Sequence, residues 1–385
     1  MMERTEETAG QAAEYSARLE RVRALLHSAG LDFVVVGPSA DMTYLTGAHL
    51  MATERMSLLV VPQLAPPVLV VPFFEAKGLH NLPPDIRVRT WTEAENPGAL
   101  AASSLAGTMH GSPGGLKVTV GVSERLWSVF LLRLQAELPH ATFTSAGPVL
   151  GEARMIKSPG EIDKMARAGA VLDEVFAQFT REQFSGRTER DISNRIQKML
   201  EARGMVVENP PIVGAGENGA SPHHHASERV VRLGDVVVVD FWGSLDGYYS
   251  DCTRTVFVGE APAPDSEERR VYDLVRQAQE RAAKAAAPGM PCEVLDEVAR
   301  DFLQQSGYGE YFIHRLGHGI GLDEHELPYL VSGNRTALQP GMAFTIEPGL
   351  YLPGRFGVRI EDSVWLSESG SVSFNNSTHE VTVVQ

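Results

Sequence analysis

Four acidic residues stand where a lone acid would be costly. Asp240 closes the valine-rich run 236–239, and Asp251 sits at the start of the apolar-alternating run 250–258. Glu347 closes the run 343–346, and Glu361 lies within 357–366. A carboxylate among strand valines loses hydration, which penalises its charged form. Taken singly, each could be a turn-capping acid. Taken together they cannot, because mutual repulsion adds to the desolvation of each. Two divalent cations would balance four such carboxylates, and a neutral imidazole could complete the shell. His318, in Leu316-Gly317-His318-Gly319-Ile320-Gly321, is the candidate, flanked by glycines that permit close approach of backbone and metal. An oxygen-rich set with one histidine favours manganese, iron or cobalt over a thiolate-type zinc site, with zinc also compatible. Two such ions can hold a hydroxide at neutral pH and polarise a carbonyl, which is hydrolytic chemistry.

The elements that must position these acids recur in order. Gly234 precedes Asp240 by six residues, and Gly341 precedes Glu347 by six. Each strand is followed by a partner carrying a second acid, Asp251 eleven residues on and Glu361 fourteen on. Two helices precede each pair of strands. Ser158-Pro159-Gly160-Glu161 has the capping residue, the N1 proline and the glutamate of a helix start, which predicts a helix to about Phe179. Thr188-Glu189-Arg190-Asp191 opens another that Gly204 closes. Helices over 267–287 and 293–305 complete the second set. This is an internal pseudo-two-fold repeat, with a site built across its axis.

Residues 1–155 read differently. A helical pattern over 15–29 ends at Gly30, and short β-branched runs begin at Phe33, Leu58, Val68 and Val118, with an amphipathic stretch over 124–138. The expectation is an α/β fold with two domains, 1–155 and 156–385. A length of 385 residues suits two cores. The formal charge of −15 repels phosphate backbones and anionic lipid, so neither nucleic acid nor a membrane surface is an expected partner. Cys252 and Cys292 cannot build a disulfide framework, and no apolar run approaches the roughly 20 residues of a membrane span. The acidic, polar start has no signal-peptide character. A cytoplasmic protein is expected.

The segments Val-Val-Val-Asp-Phe ending at Phe241, Ser-Asp-Cys-Thr-Arg-Thr from Ser250, Gly-His-Gly-Ile-Gly-Leu from Gly317, Thr-Ile-Glu-Pro-Gly from Thr345 and Val-Arg-Ile-Glu-Asp-Ser-Val from Val358 resemble the pita-bread metallopeptidases. These are methionine aminopeptidase, aminopeptidase P and prolidase, with creatinase as a metal-free relative. The resemblance covers about 155–385. It implies that Asp240 chelates one metal, His318 and Glu347 the other, and that Asp251 and Glu361 bridge both. The N-terminal part resembles the creatinase-type domain that prolidases and aminopeptidases P carry. The resemblance also implies roles for three further residues. His223, in Ser221-Pro222-His223-His224-His225, would contact substrate, with His224 and His225 as bystanders. His325 would stabilise the tetrahedral intermediate, and Arg359 would orient a ligand or contact substrate. Glu347 would take the proton of the attacking water, making it catalytic alongside His223 and His325. His314 and Arg315 fit the pattern as packing residues. Trp242 stands where many relatives have glycine, and either packs at the substrate entrance or fills a loop.

The expected protein is therefore a two-metal hydrolase, manganese first among its metals, that cleaves Xaa-Pro dipeptides and forms a homodimer. The other readings are an aminopeptidase P acting on longer peptides, a creatinase-like amide hydrolase, and a catalytically inactive binding protein.

Overall fold

In the computed structural model, residues 2–80, 82–106 and 118–385 are described. The chain separates into two compact units, Met1–Arg154 and Met155–Gln385.

The first unit holds a six-stranded sheet. Its strands are β1 (Phe33–Val36), β2 (Leu58–Pro62), β3 (Val68–Pro72), β4 (Arg87–Trp91), β5 (Thr119–Val122) and β6 (Thr142–Ser145), in the order β4-β3-β2-β1-β5-β6. The sheet is mixed, antiparallel across β1, β2 and β3 and parallel elsewhere. Helices α1 (Met2–Ser28), α2 (Ala40–Thr46), α3 (Pro97–Ala106), α4 (Ser128–Glu137) and α5 (Gly147–Met155) accompany it. Helix α1 begins well before residue 15, since the Glu- and Ala-rich residues ahead of it are good helix formers.

The second unit carries α6 (Pro159–Phe179), α7 (Glu189–Glu201), α8 (Glu267–Ala285) and α9 (Cys292–Gln305). The α6 boundaries follow from its cap. Ser158 Oγ accepts from the Glu161 N–H, and the Glu161 carboxylate accepts from the Ser158 N–H. Thr188 and Asp191 make the same reciprocal pair at α7.

These helices pack on a nine-stranded sheet. Its main path is β11-β10-β12-β15-β9-β8-β7, where β7 is Ile212–Ala215, β8 Val236–Leu245, β9 Tyr248–Val258, β10 Gly317–Gly319, β11 Glu326–Leu330, β12 Ala343–Ile346 and β15 Glu361–Ser367. A separate hairpin joins β13 (Gly349–Leu352) to β14 (Phe356–Arg359), while β16 (Gly370–Ser373) pairs with β15 and β17 (Thr382–Val384) with β9.

The halves match as the repeat demands. Val237, Val239 and Phe241 of β8 pack with α6 and α7 residues, whereas Phe344 and Ile346 of β12 pack with α8 and α9 residues. Gly234 and Gly341 both take left-handed backbone, φ 87° and 88°, at the turn into these strands. Strand β8 is buried along nearly its whole length, which explains its unbroken valines. One expectation changes. The run 357–366 is not one strand, because the chain leaves the β13–β14 hairpin after Arg359 and enters the large sheet at Glu361.

Candidate active site

The two halves meet where β9 and β15 pair. Across β8 and β9, Asp240 lies opposite Thr253 and Trp242 opposite Asp251. Alternate strand residues share a face, so Asp251 and Thr253 point the same way. Glu361 of β15 lies opposite Thr253, which brings an acid of the second half beside those of the first. His318 sits in β10, and Glu347 follows β12 directly, its N–H donating to the Leu316 carbonyl at 2.9 Å. The Thr345 hydroxyl ties the two together, accepting from the His318 N–H and donating to Glu347 Oε1, both at 3.1 Å. The glycines around His318 serve the strands rather than a metal. A Cβ at Gly317 would lie 2.0 Å from the Thr345 carbonyl oxygen, and one at Gly319 would lie 2.2 Å from that of Leu327.

The acids are buried and incompletely satisfied. Asp240 Oδ1, Asp251 Oδ1 and Glu361 Oε1 are enclosed without a hydrogen-bond partner. One ligand atom from each of Asp251, His318 and Glu361 lies within 4.8 Å of the others. His318 Nδ1 donates to the Gly319 carbonyl at 3.0 Å, so Nε2 keeps its lone pair, 3.4 Å from Glu347 Oε1. Burial first, then Glu361 and Asp240, pushes the Asp251 carboxyl well above the usual range. Burial, then Glu347 and Asp240, does the same to Glu361. Glu347 is pushed up to about 7, mainly by burial, and burial holds His318 well below the usual imidazole range. Unpartnered oxygens on crowded acids, beside an imidazole with a free nitrogen, are the donor set of hard or borderline divalent cations. The residues fit such ions.

Arg359 braces this cluster. Its guanidinium donates to Asp240 Oδ2 at 2.7 Å, to Thr253 Oγ1 at 2.9 Å, to the Tyr351 hydroxyl at 2.9 Å and to the Pro222 carbonyl at 3.2 Å. Thr253 passes the contact on, donating to Glu361 Oε2 at 2.6 Å. All four bonds are to groups of the protein, two of them to Asp240 and to the Thr253 that meets Glu361. Tyr351 donates in turn to His314 Nε2 at 2.9 Å, because His314 Nδ1 is committed to the Arg315 carbonyl. Burial lowers His314 to about 3, leaving it neutral.

A cavity of about 750 Å³ opens on the cluster, and Asp240, Asp251, His318, Glu347, Glu361, His223, His325 and Arg359 all line it. The rings of His318 and His325 lie 3.7 Å apart. Arg315 donates to His325 Nδ1 at 3.2 Å, so the ring's remaining proton sits on Nε2, 3.6 Å from Glu324 Oε1. Burial, helped by Arg315 and His223, lowers His325 to about 4. Arg315 stacks over the Tyr329 ring at 4.2 Å and has no carboxylate partner among the described residues. Trp242 lines the cavity from β8 beside Glu324, so it belongs to a strand and not to a loop. Burial and Asp240 raise Glu324 to about 7.

Residues 163–368 match the model of metallopeptidase family M24, and residues 18–156 match that of the creatinase/prolidase N-terminal domain. The chain belongs to the M24 metallopeptidases. It is 41% identical to a probable dipeptidase PepE from Mycobacterium tuberculosis over 96% of both chains. It is 34% identical to an Xaa-Pro dipeptidase from Lactobacillus helveticus, over 95% of this chain and 98% of the relative. Among solved structures, a prolidase from Thermococcus sibiricus superposes with a TM-score of 0.88 at 36% identity, covering 96% of this chain and 99% of that one. Membership of this metallopeptidase family implies divalent metal ions, which the donor set here fits.

Reading the sequence of this M24 peptidase overlooked several groups that the structure brings to the site. Thr253 was legible, since it lies two residues after Asp251 and must share its face. Tyr351 and Glu324 carried no such signal, because a hairpin and a loop deliver them. His224, expected to be a bystander, has its ring 2.8 Å from the carboxylate of buried Glu189.

Proposed function

We propose that this metallopeptidase is an Xaa-Pro dipeptidase. The observation that carries the reading is the convergence of unpartnered buried oxygens from Asp240, Asp251 and Glu361 on one cavity beside His318. Asp240, Asp251, His318, Glu347 and Glu361 would hold two divalent ions, with manganese first on the chemistry of an oxygen-rich set. When bound, such ions supply hydroxide at neutral pH and polarise the scissile carbonyl.

The chain's own residues do the rest. Glu347, on the cavity wall beside His318, is placed to take the proton of the attacking water. His325 presents Nε2–H to the developing oxyanion. His223 contacts substrate from the cavity wall, and Arg359 keeps Asp240 and Glu361 in place. An Xaa-Pro bond is a tertiary amide without an N–H, so a site that grips the carbonyl and the peptide termini suits it better than one that reads a strand.

Arg315 supports a short substrate. A dipeptide ends in a carboxylate where a longer peptide continues, so its site needs a spare cation. Arg359 is engaged with Asp240, and Arg55 with Glu54 and Glu93. Arg315 lines the cavity and has no carboxylate in ion-pair contact among the described residues. A cytoplasmic homodimer completes the reading; among the described residues no helix is long and apolar enough to cross a membrane.

Metal content and substrate length test it. The purified enzyme should carry about two equivalents of divalent metal and cleave Ala-Pro faster than Ala-Pro-Ala. Amidating the dipeptide should weaken kcat/KM by about tenfold, the value of a charge-assisted hydrogen bond. Faster cleavage of tripeptides and amides would indicate an aminopeptidase P, and absence of metal a creatinase-like hydrolase or an inactive binder.

A further inference from the structure

The histidine triplet follows β7; all three residues line the cavity, but their hydrogen-bond partners differ. His223 is exposed on the cavity wall, with no hydrogen-bond partner among the described residues. Both its chain neighbours are tied down. The Pro222 carbonyl accepts from Arg359 Nη1 at 3.2 Å, and His224 Nε2 lies 2.8 Å from Glu189 Oε2.

Glu189 is the first residue of α7, 0% exposed, with no lysine or arginine partner among the described residues. A buried carboxylate in that position is tolerated only if donors replace its water. All of its donors come from one stretch of chain. Ala215 N–H reaches Oε1 at 2.8 Å, Asn218 Nδ2 at 3.0 Å, and Ser227 gives its N–H at 3.0 Å and its hydroxyl at 2.6 Å to Oε2. Burial alone would raise the Glu189 carboxyl, but the bonds from Ser227, Ala215, His224 and Asn218 outweigh it and keep the acid below the ordinary range. An ionised carboxylate accepts only, so His224 donates to it from Nε2. The loop 215–227 is thus wrapped around one anion, and His223 stands between the two anchors of its tip.

We propose that Glu189 and His224 are a positioning pair that holds His223 in its working place on the cavity wall, His224 acting on the reaction through His223 alone. This rests on the assignment of His223 as a substrate contact.

A double-mutant cycle on the metal-loaded full chain tests it, with kcat, KM, metal content and melting temperature recorded on Ala-Pro. His224→Ala should lower kcat/KM about tenfold with metal content unchanged. His224→Gln, whose amide nitrogen reaches Glu189 much as Nε2 does, should recover activity to within about threefold of the unaltered enzyme. In a His223→Ala background, His224→Ala should change kcat/KM by less than about twofold, since the partner it acts through is gone. Should His224→Ala not fold, His224→Asn, too short to reach Glu189, takes its place in the cycle. Equal losses in both backgrounds, or no loss in the first, would overturn the pair and leave the role of His223 standing. A His223→Ala enzyme with unaltered kcat/KM would overturn the pair and that role together.

Discussion

Glu361 and Asp362 are neighbours on β15, 2% and 3% exposed, and strand geometry sends them to opposite sides of the sheet. Asp362 meets a full set of donors, with Arg254 at 2.6 Å, His379 at 2.8 Å and Gln279 at 2.9 Å. Burial works to raise its carboxyl, yet Arg254 and His379 prevail and hold it below the usual range. Glu361 has one donor, Thr253, and one oxygen with none. Burial and the nearby acids Glu347 and Asp240 drive its carboxyl far up. Burial of an acid therefore says little about function. What distinguishes a site from a structural ion pair is whether the protein itself supplies the countercharge.

The sharpest way to break this comparison is to exchange the losses. Glu361→Ala should lower turnover by roughly a thousandfold or more and reduce bound metal, because a ligand proposed to be shared disappears. Elemental analysis and a dipeptide assay read both; full metal occupancy with near-normal turnover would sink the distinction. Asp362→Asn should do the opposite. Leaving Arg254 buried without its partner should cost about 3–5 kcal/mol, seen as a melting temperature lowered by roughly 6–20 °C, while the protein that remains folded keeps its metal.

Stripping metal sharpens the contrast by pH. Asp251, Glu347 and Glu361 have folded-state pKa values above their ordinary ones, so the folded apo-enzyme binds more protons than the unfolded chain between the two. Its stability is therefore greatest below the ordinary carboxyl range and falls as pH rises through about 7, the value for Glu347. Loaded enzyme lacks this penalty. The gap in melting temperature between loaded and chelated protein should widen by several degrees from pH 5 to pH 7. A constant gap would show that the acids are not crowded.

Much of the frame was legible in the chain. The caps at Ser158 and Thr188 form within four residues of sequence, and the left-handed glycines 234 and 341 mark equivalent turns of the two halves. The acid motifs and His318 were legible for the same reason, since apolar strands advertise any charge they carry. In the triplet 223–225 the sequence set His223 apart from its neighbours but left the His224–Glu189 contact hidden, because nothing in three consecutive histidines says which ring meets an anion. The partners of Arg359 were hidden too, because they lie on β8, β9 and the β13–β14 hairpin.

By itself the sequence determined what is local: the helix starts, the strand runs, the repeat and the acids that could hold metal. Only the tertiary structure decided the partnerships. Arg359 meets Asp240 across 119 residues of chain, Thr253 meets Glu361 across 108, and Glu189 meets His224 across 35. Capping and periodicity act within a turn or two of backbone, whereas the partner of a buried charge is whichever group the packed sheet carries to it.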